Sequence, residues 1–380
     1  MTPPDDHDRH LAETAGPAFV PGVRLCERFY EDAVRPILAT AFPALTYSAA
    51  LIGSGSDVLG YDTPRSTDHD WGPRVLLFVD EQEYAEVAAP IHAALSQRLP
   101  REFAGYSTHF GEPDAEGVQT PAAQGAGPLV HKVEVHTPRQ FCRDRLGVDP
   151  RGGLPLRDWL ILPQQKLLEF TAGRVYHDGL GALGEMRAQL AWYPHDVWLY
   201  LLAAQWQRIS QQEPFVGRAG ETGDEPGSRL VAATLVRDLM RLCFLMERRY
   251  APYTKWFGTA FSRLAAAPDL TPSLQGALRA DSWQERERHL CAACEAVARR
   301  HNALGITAFL AEHVSFFHNR PFRVIHGERF AWALRDAITD PEMRDVVARA
   351  GLIGAIDQIT DNVDILSHPA RYVTFRARYG

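Results

Sequence analysis

Two aspartates one residue apart, Asp68 and Asp70, follow a Gly-Ser turn at Gly53-Ser54, and that ordered set constrains the fold more than any other feature of the chain. The apolar run Ala49-Ala50-Leu51-Ile52 reads as a strand ending in the turn, whose backbone N–H groups can face an anion. In an extended segment the side chains at i and i+2 share a face, so both carboxylates are expected to grip divalent cations together. No Lys follows the glycines, which excludes a Walker phosphate loop.

Ile52-Gly53-Ser54, the spacer of positions 55 to 67 and Asp68-His69-Asp70 resemble the signature of the polymerase-β-type nucleotidyltransferases, a resemblance carried by roughly residues 50 to 136. The longer string GSGSDVLGYDTPRSTDHDWGPR is similar to a bacterial family of unassigned function within that superfamily, and this similarity runs through most of the chain. The superfamily needs a third acid on a neighbouring strand. Glu134 in His131-Lys132-Val133-Glu134-Val135-His136 fits, because Val133 and Val135 would face the core while Lys132, Glu134 and His136 share the other face. The resemblance therefore implies Asp68, Asp70 and Glu134 as catalytic residues and ligands of two magnesium ions roughly 3.5 to 4 Å apart. It also implies Gly53 and Ser54, with Ser56, around the phosphates of ATP or another nucleoside triphosphate. Two departures from the pattern stand out: His69 replaces an apolar residue, and the usual arginine soon after Gly-Ser is missing, with Arg65 or Arg74 as its substitute.

A chain of 380 residues with 46% hydrophobic content can bury two ordinary cores. No apolar run is long enough to span a bilayer, and the first residues are acidic and polar, so a cytoplasmic protein without membrane contact is expected. The net charge of −7, with no basic block, argues against a long nucleic-acid partner and for small molecules. Cys26, Cys142 and Cys243 are isolated among apolar residues, and Cys291-x-x-Cys294 has no second pair, so packing is the expected use of all five cysteines. The 15 histidines invite a metallohydrolase reading. Strand alternation opposes it, since His131 and His136 point to opposite faces and His69 faces away from both aspartates.

The pattern predicts an α+β chain in three parts: a disordered N-terminus over 1–20, a nucleotidyltransferase-type domain of mixed sheet and flanking helices over 21–150, and a mostly helical domain over 151–380. A helix is expected over 24–41, interrupted at Pro36, then a strand, a turn with a short helix, the strand 75–79 and a helix over 81–99 kinked at Pro90. Residues 111–128 read as a long Gly/Pro/Ala loop, disordered or a lid. After a break at 149–153, helices are expected over 157–173, 179–191, 195–212, 227–250, 284–303 and 329–349, with the all-apolar Val197–Ala204 at the centre of a bundle. Gly217–Glu225 reads as a surface loop. On the 227–250 helix Arg237, Arg241 and Arg248 fall within roughly 40° of one another, a stripe able to hold a triphosphate. Lys255, just beyond that helix, resembles the lysine with which related helical domains contact the nucleotide.

Together these features predict a magnesium-dependent nucleotidyltransferase that moves a nucleoside monophosphate, AMP from ATP, to a hydroxyl of a small-molecule acceptor. Two other readings compete, a protein AMP-transferring enzyme and a non-catalytic nucleotide-sensing or partner-binding module. Three retained acids favour catalysis, because binding alone does not need them.

Overall fold

The computed structural model describes residues 18–68, 70–112, 114, 119–122 and 127–380. The expected disordered start, the orientation of His69 and most of the 111–128 loop fall outside them. The chain forms two compact units: residues up to 141 with 169–185, and residues 142–168 with 186–380.

In the first unit α1 (Gly22–Phe29) and α2 (Arg35–Ala41) are joined by a π-turn at Tyr30–Val34. The irregularity thus precedes Pro36, which sits in the first turn of α2, where a missing N–H costs little. Next come β1 (Tyr47–Leu51), β2 (Arg74–Val79), α3 (Tyr84–Arg98), the short pair β3 (Glu102–Phe103) and β4 (Tyr106–Ser107), β5 (Lys132–His136) and α4 (Pro138–Leu146). Between β1 and β2 the expected short helix is reduced to a 3-10 turn at Pro64–Asp68. Positive φ at Gly53, Gly55 and Gly60 keeps the preceding stretch out of a regular helix.

Helices α5 (Leu156–Ile161) and α6 (Gln164–Thr171), parted at Pro163, replace the single helix expected over 157–173. They are followed by β6 (Arg174–Asp178), a strand absent from the sequence reading. The sheet runs β5-β2-β1-β6, with β1 antiparallel to both neighbours and β2 parallel to β5. The first unit therefore draws its fourth strand from beyond the break at 149–153, so no single cut near 150 divides the chain. Gly173, at φ 65, permits this, because a Cβ there would strike the carbonyl of Leu51.

Register assigns the two faces. Ala49, Val75, Leu77, Val79 and Val133 are buried against Phe29, Val34 and Leu38 of the N-terminal helices and Ile91 and Leu95 of α3. Each Val, Leu, Ile or Phe side chain among them contributes on the order of 1.5 to 3 kcal/mol, and Ala49 less. The pairings Arg74↔Lys132, Leu76↔Glu134 and Phe78↔His136 put those six residues on the opposite face.

The second unit is built on α8 (His195–Gln212), which follows α7 (Ala182–Gln189) and whose residues 197–204 are buried on all sides, as expected. Then come α9 (Phe215–Glu221), α10 (Glu225–Met246), α11 (Thr254–Phe261), α12 (Ala267–Arg279) and α13 (Trp283–Ala303), and after a short hairpin α14 (Glu328–Ala337) and α15 (Pro341–Ala350). The stretch read as a Gly-rich loop at 217–225 is largely α9. Its glycines serve close packing, since Cβ atoms at Gly217 and Gly220 would collide with Phe322 and Trp283. The helix expected over 329–349 is two, restarted by the Asp340 cap and Pro341. No described helix is long and apolar enough to cross a membrane.

Candidate functional site

The end of β1 and the starts of β2 and β5 lie at one edge of the sheet, because β1 runs against the other two. Gly53 leaves β1 at φ 97, and its N–H donates to the Glu169 carbonyl at 2.8 Å. This amide is fixed inside the fold and is not open to an anion, which corrects the role expected of it. Among the described residues the amides of Ser54 and Gly55 have no acceptor and are the open backbone donors of the turn. Ser54 is exposed and Ser56 half-buried, its carbonyl accepting from Tyr61 N at 2.8 Å.

The turn is held by an ion pair not recognised in the sequence as a unit. Arg74 Nη2 and Nε meet Asp57 Oδ1 and Oδ2 at 2.7 and 3.3 Å, and Nη2 also donates to the Ser54 carbonyl at 3.4 Å. Burial works against the Arg74 charge, yet Asp57, with smaller help from its surroundings including Glu134, more than offsets this and holds the guanidinium above its ordinary pKa. Gly55, at φ 142, is required beneath the pair, because a Cβ would meet the Asp57 carboxylate and the Arg74 guanidinium. Asp62 ties the same loop to α1 through Gly22 N at 2.7 Å and Trp71 Nε1 at 3.1 Å.

The aspartate pair does not sit in an extended segment. Asp68 closes the 3-10 turn, its side chain lying outside the description, and Asp70 is left-handed at φ 48. Strand alternation therefore cannot be what aligns them. A non-glycine residue at positive φ persists only where its surroundings hold it. Here Asp70 N donates to Gln119 O at 2.9 Å, and Asp70 Oδ1 accepts from Gln119 N at 3.3 Å and from Lys132 Nζ. Lys132 reaches it from the first position of β5, its ammonium 5.2 Å from the Phe110 ring centroid.

Glu134, on the same face of β5, is half exposed, and His136 Nε2 lies 2.9 Å from its Oε2. His131 points to the other face, its ring tilted 39° against that of His92 with centroids 4.4 Å apart, and burial pushes its pKa down to about 4. It is a neutral core histidine, as alternation predicts. Among the described residues no three His, Cys, Asp or Glu side chains form a ready-made metal group. Asp70 and Glu134 offer half-exposed carboxylate oxygens, donors of the kind that magnesium takes.

The other basic residues singled out lie elsewhere. Arg65 is exposed on the 3-10 turn. In the second unit Arg237 pairs with Asp361 at 3.0 Å, and Arg241 donates to the Asp357 carbonyl. These bonds tie the segment around 357–361 to α10 through one nitrogen, Nη1, of each guanidinium expected to bind a triphosphate. Arg248 has left the stripe altogether: α10 ends at Met246, and Arg248, at φ 52, lies 4.3 Å from the Trp198 ring centroid. Lys255 is exposed in the first turn of α11, 5.0 Å from the ring centroid of Trp256.

Residues 159–257 match a domain of unknown function, DUF4037. A nucleotidyltransferase-like protein from Exiguobacterium sibiricum is similar in structure, with a TM-score of 0.32 and 14% identity over 72% of this chain and 77% of that one. No curated protein matches the chain.

Proposed function

We propose that this chain is a magnesium-dependent nucleotidyltransferase that moves a nucleoside monophosphate, AMP from ATP, onto a hydroxyl of a small-molecule acceptor and releases pyrophosphate. The observation that carries the reading is the ion pair of Lys132 with Asp70 at the start of β5, with Glu134 two residues further on the same face and the Gly-Ser turn bonded to Arg74, the register partner of Lys132 on β2. That set combines anion donors, hard oxygen ligands and a cation, the parts that phosphoryl chemistry uses for positioning and charge stabilisation.

Asp70 and Glu134, with Asp68, would hold magnesium; when bound it would lower the pKa of the attacking hydroxyl and offset triphosphate charge. The amides of Ser54 and Gly55 receive phosphate oxygens, while Arg74 and Asp57 keep the turn in shape. The acceptor oxygen bonds to the α-phosphorus as the bond to the β-phosphate breaks, and Glu134, steadied by His136, takes the hydroxyl proton.

A second reading has one observation in its favour: Lys132 already balances Asp70 and His136 hydrogen-bonds Glu134, as a nucleotide-binding module without chemistry could use them. Pyrophosphate release from ATP with magnesium and a small-molecule extract separates the two. Release by the wild type and none by a folded Asp70→Asn variant supports transfer. ATP binding without release supports the module, and α-phosphate label recovered on protein would make the acceptor a protein.

A further inference from the structure

We infer that Lys132 is the phosphate-binding cation of this site and is coupled to metal occupancy: it holds Asp70 while no divalent ion is bound, and on yielding Asp70 to the ion it contacts the triphosphate. The inference rests on the nucleotidyltransferase reading and deepens it.

Lys132 is one of three lysines in the chain, and its side chain is 10% exposed, unusual for a residue type that mostly stays in water. Its ammonium lies beside the Phe110 ring and ends on Asp70 Oδ1. The cation is therefore aimed at a carboxylate proposed to bind metal. Asp70 itself is 46% exposed, so exchanging one cation for another at its oxygens requires no unpacking. The backbone bond from Asp70 N to Gln119 O keeps the residue in place during the exchange.

The other cation of this face cannot take the role. Arg74 spends its Nε and Nη2 on Asp57 and the Ser54 carbonyl. Lys132 is its register partner on the next strand. With neighbouring strands about 4.8 Å apart, the end of β1 lies two strands, or roughly 10 Å, from the Lys132 backbone. A flexible stem carrying a point charge with three donors can turn into that space and meet an anion held by the Ser54-Gly55 turn. One carboxylate oxygen cannot fully serve an ammonium and a divalent ion at once, so metal and triphosphate binding become linked through Lys132, each favouring the other to the same degree.

Calorimetric titration of the full chain tests this, first with magnesium chloride alone and then with ATP at saturating magnesium. Lys132→Met is expected to bind magnesium roughly three- to tenfold more tightly, the scale of one partly exposed ion pair. It should bind ATP roughly ten- to a hundredfold more weakly, the scale of a hydrogen bond to a charged group. Lys132→Arg, which keeps the charge, should stay near wild type for magnesium and recover part of the ATP affinity. Should Lys132→Met not fold, Lys132→Gln takes its place, losing the charge while keeping a hydrogen-bond donor. A wild type that binds both ligands and an uncharged variant that binds them equally well would overturn the role of Lys132 alone. A wild type that binds neither would overturn the nucleotidyltransferase reading, and this inference with it.

Discussion

Replacing Asp57 with Asn should destabilise the first unit severely, because it leaves the Arg74 guanidinium confined without its carboxylate. The side chains of Asp57 and Arg74 are 2% and 18% exposed, so water can replace little of what is lost. Removing one partner of a buried ion pair costs about 3 to 5 kcal/mol. For a unit of this size that corresponds to a fall of roughly 6 to 20 °C in Tm. Asn retains an acceptor for Val58 N, which now donates to Asp57 Oδ1 at 2.9 Å, so the loss isolates the charge rather than the turn. The assay is a double-mutant cycle with Arg74→Met, read by urea unfolding of the wild type, both single variants and the double variant. The double variant should recover much of the stability lost by Asp57→Asn, with a coupling energy above about 1 kcal/mol. Strict additivity would refute the claim that these side chains stabilise the Gly-Ser turn as a pair.

Two further outcomes follow from the same region. Gly55→Ala should cost about 1 to 3 kcal/mol and weaken ATP binding, because the residue stands at φ 142 with Asp57 and Arg74 in the way, whereas Gly60→Ala, at φ 69 with open space around it, should pay only the backbone cost of about 1 to 2 kcal/mol and leave ATP binding unchanged. His131, pushed down to about 4 by burial, is neutral in the fold and protonates first in the unfolded chain. Its contribution is therefore intact above pH 6.5 and falls as the pH drops from there toward 4, by roughly 3 kcal/mol over the full gap. Urea unfolding across that range should show His131→Gln with a shallower pH dependence than the wild type.

The apolar runs made β1, β2, β5 and the buried centre of α8 legible, since their burial is recorded in the local spacing of side chains. The same alternation placed Glu134 beside Lys132 and His136 and turned His131 away. What escaped the reading depends on distant partners. Arg174–Asp178 alternates too weakly to announce a strand, and it becomes one by pairing with β1 more than a hundred residues earlier, where Gly173 allows the approach. The Gly53 amide looked free because its acceptor is the carbonyl of Glu169. Gly217 and Gly220 looked like loop residues because the rings that need their missing side chains, Phe322 and Trp283, lie far along the chain. Asp70 takes a left-handed conformation under the hold of Gln119 and Lys132, neither of which its own neighbours foretell.

The measurement that most directly tests the central claim is anomalous diffraction from crystals soaked with manganese and a non-hydrolysable ATP analogue. The account predicts manganese at roughly 2.0 to 2.5 Å from carboxylate oxygens of Asp70 and Glu134, with Asp68 completing the set and the triphosphate over the Ser54-Gly55 amides. Manganese bound elsewhere, or a triphosphate seated away from this sheet edge, would contradict it.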